Sequence, residues 1–158
     1  MKGLSAFVSA ALIILFSIMA VSLALTVLNP ALDKGRDAGT ITEAFRNLEM
    51  LDNTIKDVAS EGENAKRTIN LKVNEGTFKP DETNNLLNYT YTLKTDFSIS
   101  GQRGNVNITK TGKELTLFII YGNIDINGTD HFTKGDNKVI IKNDGTNSTG
   151  YPIITIEK

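Results

Sequence analysis

The chain has 158 residues, with Lys+Arg at 17, Asp+Glu at 18 and a net charge of -1. That balance excludes a broadly basic nucleic-acid binder. There is no Cys and one His, so disulfides, thiolate-held metals and thiol nucleophiles are excluded and most His-dependent catalysis lacks its parts.

The apolar residues are concentrated at the amino end. No charged residue occurs from Leu4 to Leu32, and the densest part is Leu4 to Leu28. As a helix, a run of that length spans roughly 37 Å at 1.5 Å per residue, enough to cross a hydrocarbon layer of about 30 Å with some tilt. A secretory signal peptide would have a shorter apolar core and a small-residue cleavage site after it. The following NPALDKGRDAG offers no convincing site of that kind. Residues 4–28 are therefore expected to be a retained transmembrane or filament-core helix. Lys2 and the free amine precede it, while Asp33, Lys34, Arg36 and Asp37 cancel one another after it. The positive side is the amino end, which predicts an N-in, C-out orientation. Ser5/Ser9 and Ala20/Ala24 place small residues four apart on one face, a spacing that allows close helix approach in an apolar medium. The expected helix-packing set is Ser5, Ser9, Ala10, Leu12, Ile13, Phe16, Ala20 and Ala24.

Asn29-Pro30 predicts a break or kink, because Pro lacks a donor and disfavours helix in the residue before it. A second, amphipathic helix is expected over 29–61, with Thr40 or Thr42 able to cap its start. Ile41, Ala44, Leu48, Leu51, Ile55 and Val58 form an apolar stripe at steps of three and four, widened by Phe45. Arg46, Glu49, Asp52, Lys56 and Asp57 are expected on the opposite, solvated side. The stripe is short for a coiled coil and suits a helix packed on a β-domain. It should end near Ser60–Gly62.

From residue 62 the composition changes to Thr, Asn and Gly, with balanced charge. KRTINLKV, LLNYTYTLKT, DFSIS, NVNIT, ELTLFIIYG, NIDI, KVIIK and YPIITIEK read as strands. NEG, GQRG, KTGK, NGTD, KGDN and NDGTNSTG read as turns. Seven or eight short strands predict an antiparallel β-sandwich or small barrel-like sheet over 62–158. The fold class expected is α+β: a long apolar helix followed by a β-sandwich-like head.

The head carries little chemistry. His131 stands alone in a predicted loop, and no nucleophile elbow, P-loop or dinucleotide motif occurs. Asn123–Asp130 resembles part of a calcium loop through Asp125, Asn127 and Thr129, but lacks its Gly and its bidentate Glu. No catalytic, cofactor or metal residues are expected. Four N-x-S/T sequons occur, at Asn88, Asn107, Asn127 and Asn147, and all fall in the part the charge argument places outside. They are candidate glycosylation sites.

The start MKGLSAFVSAALIILFSIMAV resembles the amino terminus of archaeal type IV pilin-like proteins. In that family a short basic leader ends in Gly, and a prepilin peptidase cuts on the cytoplasmic side. The resemblance implies a leader over residues 1–3, with Lys2 as its charge, Gly3 before the cut and Leu4 starting the mature chain. Residues 43–67 also look like the extended helix of such proteins, ahead of their β-head. The fifth residue after the implied cut is Val8, not the Glu of bacterial pilins, which favours the archaeal branch and removes a charge pair between neighbours. What the resemblance implies is a filament subunit, held in the membrane before assembly and joined to its copies through the amino-terminal helices. The alternative is a monomeric membrane-anchored surface protein whose head binds the surface layer, a filament-machinery component or a glycan. Neither requires a cofactor or nucleic acid.

Overall fold

The computed structural model describes residues 2–96 and 98–158, with side chains described from Phe7 onward and omitted at Phe97. It has one long helix followed by β-sheets, an α+β architecture. Two compact units are formed by Met1–Arg36 and Asp37–Lys158, so the helix residues from Asp37 onward fold with the strands.

Helix α1 runs from Lys2 to Glu61 without interruption. The break expected at Asn29-Pro30 is absent, and both residues are helical. Pro30 removes a single donor from a ladder that continues for many turns on either side, and helices in apolar surroundings tolerate such a loss. No second helix start exists for Thr40 or Thr42 to cap. Thr42 Oγ1 instead donates to the Ala38 carbonyl at 2.8 Å, an interior back-bond. The helix stops where expected. Gly62 follows it at φ 93°, the left-handed conformation that closes many helices. One carbonyl of the last turn, Val58 O, accepts from Asn143 Nδ2 at 3.3 Å.

Nine strands follow among the described residues: β1 Lys66–Val73, β2 Thr77–Asp81, β3 Leu86–Thr92, β4 Gly101–Arg103, β5 Val106–Thr111, β6 Glu114–Ile120, β7 Asp125–Asn127, β8 Gly135–Thr146 and β9 Pro152–Glu157. They make a four-stranded sheet, β1-β8-β9-β7, and a five-stranded sheet, β2-β3-β6-β5-β4. Pairing is antiparallel throughout except β7 with β9, which is parallel. The head is thus mostly antiparallel, with one parallel pair where β7 joins the edge of β9 directly rather than through a hairpin. The isolated bridge between Phe78 and Phe132 ties β2 to the segment after β7.

Several expected elements change. DFSIS does not form a strand among its described residues. The chain there is drawn to α1 instead, because Thr95 N and Oγ1 both donate to Asp37 Oδ2, at 2.9 and 2.7 Å. The expected GQRG turn is mostly strand, since Gly101–Arg103 pairs with β5 as β4. The expected turns at KGDN and NDGTNSTG lie partly inside β8, which shifts register between Asn143 and Thr146. Gly145, at φ 108°, supplies the left-handed residue that such a bulge needs. Strand β2, which contains Pro80, is not among the expected strands. Pro is tolerated there because β2 is an edge strand, pairing with β3 alone in its sheet.

Alternate residues of the strands point inward. Leu71, Phe78, Leu87, Leu115, Leu117, Phe132, Val139, Ile141 and Ile154 are among the fully enclosed side chains of one core cluster. That cluster also contains Ile41, Ala44, Phe45, Leu48, Leu51, Ile55 and Val58 of α1.

Candidate functional site

Three features carry chemistry or surface: the apolar stretch of α1, the seams that hold the rest of α1 to the strands, and a polar cleft in the head.

The apolar stretch belongs to the first unit. Every described side chain from Phe7 to Leu32 is exposed. An 18-residue window reaches a mean hydropathy of 2.7, with none of it buried. Leu12, Ile13 and Phe16 are 48%, 67% and 66% exposed, and Ser9, Ala10, Ala20 and Ala24 are exposed as well. Two hydroxyls in this stretch are turned back on the helix. Ser17 Oγ donates to Ile13 O at 2.8 Å and Thr26 Oγ1 to Leu23 O at 2.7 Å. Their donors are therefore satisfied without water, as an apolar surrounding requires. Gly3, Leu4 and Ser5 lie outside the residues whose side chains are described.

In the second unit, the apolar stripe of α1 is enclosed. Leu48, Leu51, Ile55 and Val58 are 0% exposed. Polar seams flank it. Asn47 Nδ2 donates to Lys72 O at 2.9 Å, and Glu43 Oε1 accepts from Asn74 N at 3.0 Å. Asn143 is buried and makes three further bonds besides the one to Val58. Its backbone N donates to Ala65 O and its O accepts from Asn64 N, both at 2.9 Å, while its Oδ1 accepts from Gly145 N. Asp37 is fully enclosed and accepts from Tyr91 Oη at 2.8 Å, Lys94 N at 3.2 Å and Thr95. Burial pushes its carboxyl pKa up, but the bonds from Thr95, Lys94 and Tyr91 outweigh that and leave it below the ordinary value. Burial and the Asp37 carboxylate together push the Tyr91 phenol up to about 12.

The cleft, about 290 Å³, lies beside α1 and β4–β6. Asp52 is one of its walls, and it is 5% exposed rather than on the solvated side where it was expected. Its position, seven residues after Phe45, puts it on the flank to which the apolar stripe widens, and that spacing was the available signal. Asp52 Oδ2 accepts from Lys56 Nζ at 2.7 Å and from Asn105 Nδ2 at 3.3 Å. Asp52 Oδ1 and Tyr121 Oη are both buried, and the Tyr121 hydroxyl lies within reach of the Asp52 carboxylate. Burial, with the nearby Asp52 charge, holds the Tyr121 phenol protonated far above its usual range. The wall at 121–124 is pinned by Asn85, whose Nδ2 donates to Tyr121 O at 2.5 Å and Ile124 O at 2.8 Å.

The sequons separate by environment. Asn88 and Asn107 lie on the outer face of the five-stranded sheet, both opposite Phe118 of β6. Among the described residues neither side chain makes a hydrogen bond. Asn127 ends β7. Asn147 is engaged: its Nδ2 donates to Asp125 Oδ2 at 2.6 Å, and its Oδ1 accepts from Thr149 N, Thr149 Oγ1 and Tyr151 N. Asp125 and Asn127 sit in a strand rather than a loop, and no three His, Cys, Asp or Glu side chains converge as a metal site among the described residues. His131 is exposed.

Comparison with protein-family models, with curated proteins and with solved structures finds no match.

Proposed function

We propose that this chain is a structural subunit of an extracellular, type IV pilus-like filament. The observation that carries this reading is the uncharged helical stretch from Phe7 to Leu32, on which every described side chain is exposed. So large an apolar surface is not stable in water and needs a cover. Before assembly the cover is lipid, entered N-in and C-out. After assembly it is the same stretch of neighbouring copies, with small residues such as Ala10, Ala20 and Ala24 admitting close approach. A head with its own enclosed core leaves the apolar stretch as the part that requires a partner. Repetition of one head-to-tail contact that does not close gives a filament. Cleavage between Gly3 and Leu4 by a prepilin-peptidase-like enzyme, and glycans on the head, belong to the same reading.

The second reading is a monomeric membrane-anchored surface protein. The same uncharged span favours it, since a stretch that long crosses a bilayer unaided. Electron microscopy of sheared cell surfaces, with the filaments identified by peptide mass, tests the two. This chain as a filament component supports the first. Its presence only in the membrane fraction overturns it in favour of the second.

A further inference from the structure

Asn88 stands where a sequon and an apolar patch coincide. In β3 the side chains of Leu87, Tyr89 and Tyr91 are buried, so Leu86, Asn88 and Thr90 face outward. The outward residues of β6 beside them are Thr116, Phe118 and Ile120. Asn88 therefore has Leu86 two residues before it, Phe118 directly opposite and Ile120 on the diagonal. Leu86 and Phe118 are half-buried, and Ile120 is 59% exposed. Around this patch the sheet face is polar, with Thr77, Lys79, Thr90, Thr109 and Thr116.

The hydrogen-bond ladder separates Asn88 from the second sequon beside Phe118, Asn107. Tyr121 N donates to Asn85 O at 3.0 Å and Leu93 N to Lys113 O at 2.8 Å, and both pairs continue the register of β3 with β6. Bonded and non-bonded pairs alternate along an antiparallel ladder, so Asn88 and Phe118 form a non-bonded pair, with Cα atoms about 4.5 Å apart and side chains close. The backbone groups of Phe118 then point to β5. Asn107 and Phe118 are a bonded pair, with Cα atoms about 5.5 Å apart and side chains further from one another.

The size of the patch narrows what covers it. A protein partner needs about 800 Å² from each side, far more than Leu86, Phe118 and Ile120 offer. A single sugar ring matches them, since its C–H face is apolar and its rim carries hydroxyls. Lys79, exposed and opposite Asn88 on β2, supplies donors for that rim. The tether is present as well. Asn88-Tyr89-Thr90 is a sequon, and the two-residue period of the strand turns Asn88 and Thr90 to the same outward face.

We infer that Asn88 carries an N-linked glycan whose first sugar lies on the Phe118 ring, with Leu86 and Ile120 at its edges. The inference rests on the orientation proposed above, which puts the head on the side where sequons are modified. Attachment forms a bond from Asn88 Nδ2 to the anomeric carbon of the sugar. It breaks that carbon's bond to the phosphate of a lipid-linked donor, and the Nδ2 proton leaves with the lipid phosphate. The glycan removes the patch from water and so stabilises the head, which a sugar on a polar surface would not do.

The test uses the full chain, made in a glycosylating host and purified in detergent micelles, with occupancy read by peptide mass spectrometry. Sugar is expected on Asn88. Sugar on other sequons with none on Asn88 overturns the inference and leaves the orientation standing. Sugar on no sequon overturns the orientation, and the inference falls with it. After the glycans are trimmed to their first sugar, through-space NMR contacts are expected between the ring protons of the Asn88 sugar and the Phe118 ring. Their absence, or contacts from a sugar on Asn107 instead, overturns the inference. Thermal unfolding gives a second readout. The midpoint difference between wild type and Asn88→Gln, less the same difference in chain from a non-glycosylating host, is the glycan's own contribution, expected at about 3 °C. In a Phe118→Thr background, which keeps the β-branched character of the face, it should fall below about 1 °C. An equal contribution in both backgrounds overturns the contact with Phe118.

Discussion

The Asp37 carboxylate on α1 accepts the phenolic proton of Tyr91 on β3 across 2.8 Å, fifty-four positions further along the chain. The same carboxylate holds Lys94 N and both donors of Thr95. One helical side chain thus organises the segment leaving β3 and diverts it from the sheet. Replacing Asp37 by Ala leaves Tyr91 Oη and two backbone amides without an acceptor. The expected loss is about 2–4 kcal/mol of head stability, and Asp37→Asn should recover part of it. Denaturant unfolding followed by tyrosine fluorescence measures both.

Acid should act through the same residue. Its folded pKa lies below the ordinary aspartate value, so its contribution is present above about pH 4 and is lost as pH falls through the folded pKa. Asp144, lowered by bonds from Lys142 and Thr155, adds in the same direction. Unfolding midpoints should therefore fall as the pH drops below about 4. Asp37→Asn should flatten that fall, and an unchanged slope in the variant would remove Asp37 from the account.

Gly76 marks a close approach. It has φ 79°, and a Cβ there would run into the ring and hydroxyl of Tyr89, which donates to Glu75 O at 2.9 Å. Gly76→Ala should cost about 2–4 kcal/mol through backbone strain and overpacking together. Gly104 also has positive φ but faces open space, so Gly104→Asn should cost less than about 1 kcal/mol. Thermal unfolding of the two variants separates conformation from contact.

For the amino-terminal helix, the expectation concerns assembly. Ala10→Leu adds bulk without polarity to an exposed position. Lipid accommodates it, whereas a close-packed filament core loses about 1–3 kcal/mol at every subunit. The variant should reach the membrane in normal amount and give few or no filaments in sheared preparations. Abundant normal filaments would count against tight packing at that face.

Sequon occupancy should follow the hydrogen bonding. Asn88 and Asn107 present unengaged side chains on the outer face, while Asn147 is committed to Asp125, Thr149 and Tyr151. Peptide mass spectrometry from a glycosylating host should find sugar on Asn88 or Asn107 ahead of Asn147. The same measurement on native protein reads the amino terminus, which should begin at Leu4.

Local patterns in the sequence were strong where a single period dominates. The uncharged run and the stripe from Ile41 to Val58 announce a helix by themselves, and KRTINLKV coincides with β1. What the sequence hides is non-local. Pro30 looks like a helix stop because a local rule cannot weigh the long ladder around it. Pro80 looks incompatible with a strand until β2 is known to be an edge. Asp96 and its neighbours alternate like a strand, but Asp37 claims the preceding backbone from far away. The cleft was the least legible part. Asp52 reads as a solvated charge, and only the fold brings α1, β4 and the turn after β6 together.

The sheet edges have a bearing on crowding. Unpaired strand edges on neighbouring molecules tend to stitch together into aggregates. Here β4 and β7 are each three residues long, β2 carries Pro80, and β1 carries Lys66, Arg67 and Lys72. Each of the four borders is thus too short, too interrupted or too charged to template a further strand. Many copies can stand shoulder to shoulder on a surface without their heads fusing, and any contact between copies is left to side chains and to the apolar helix.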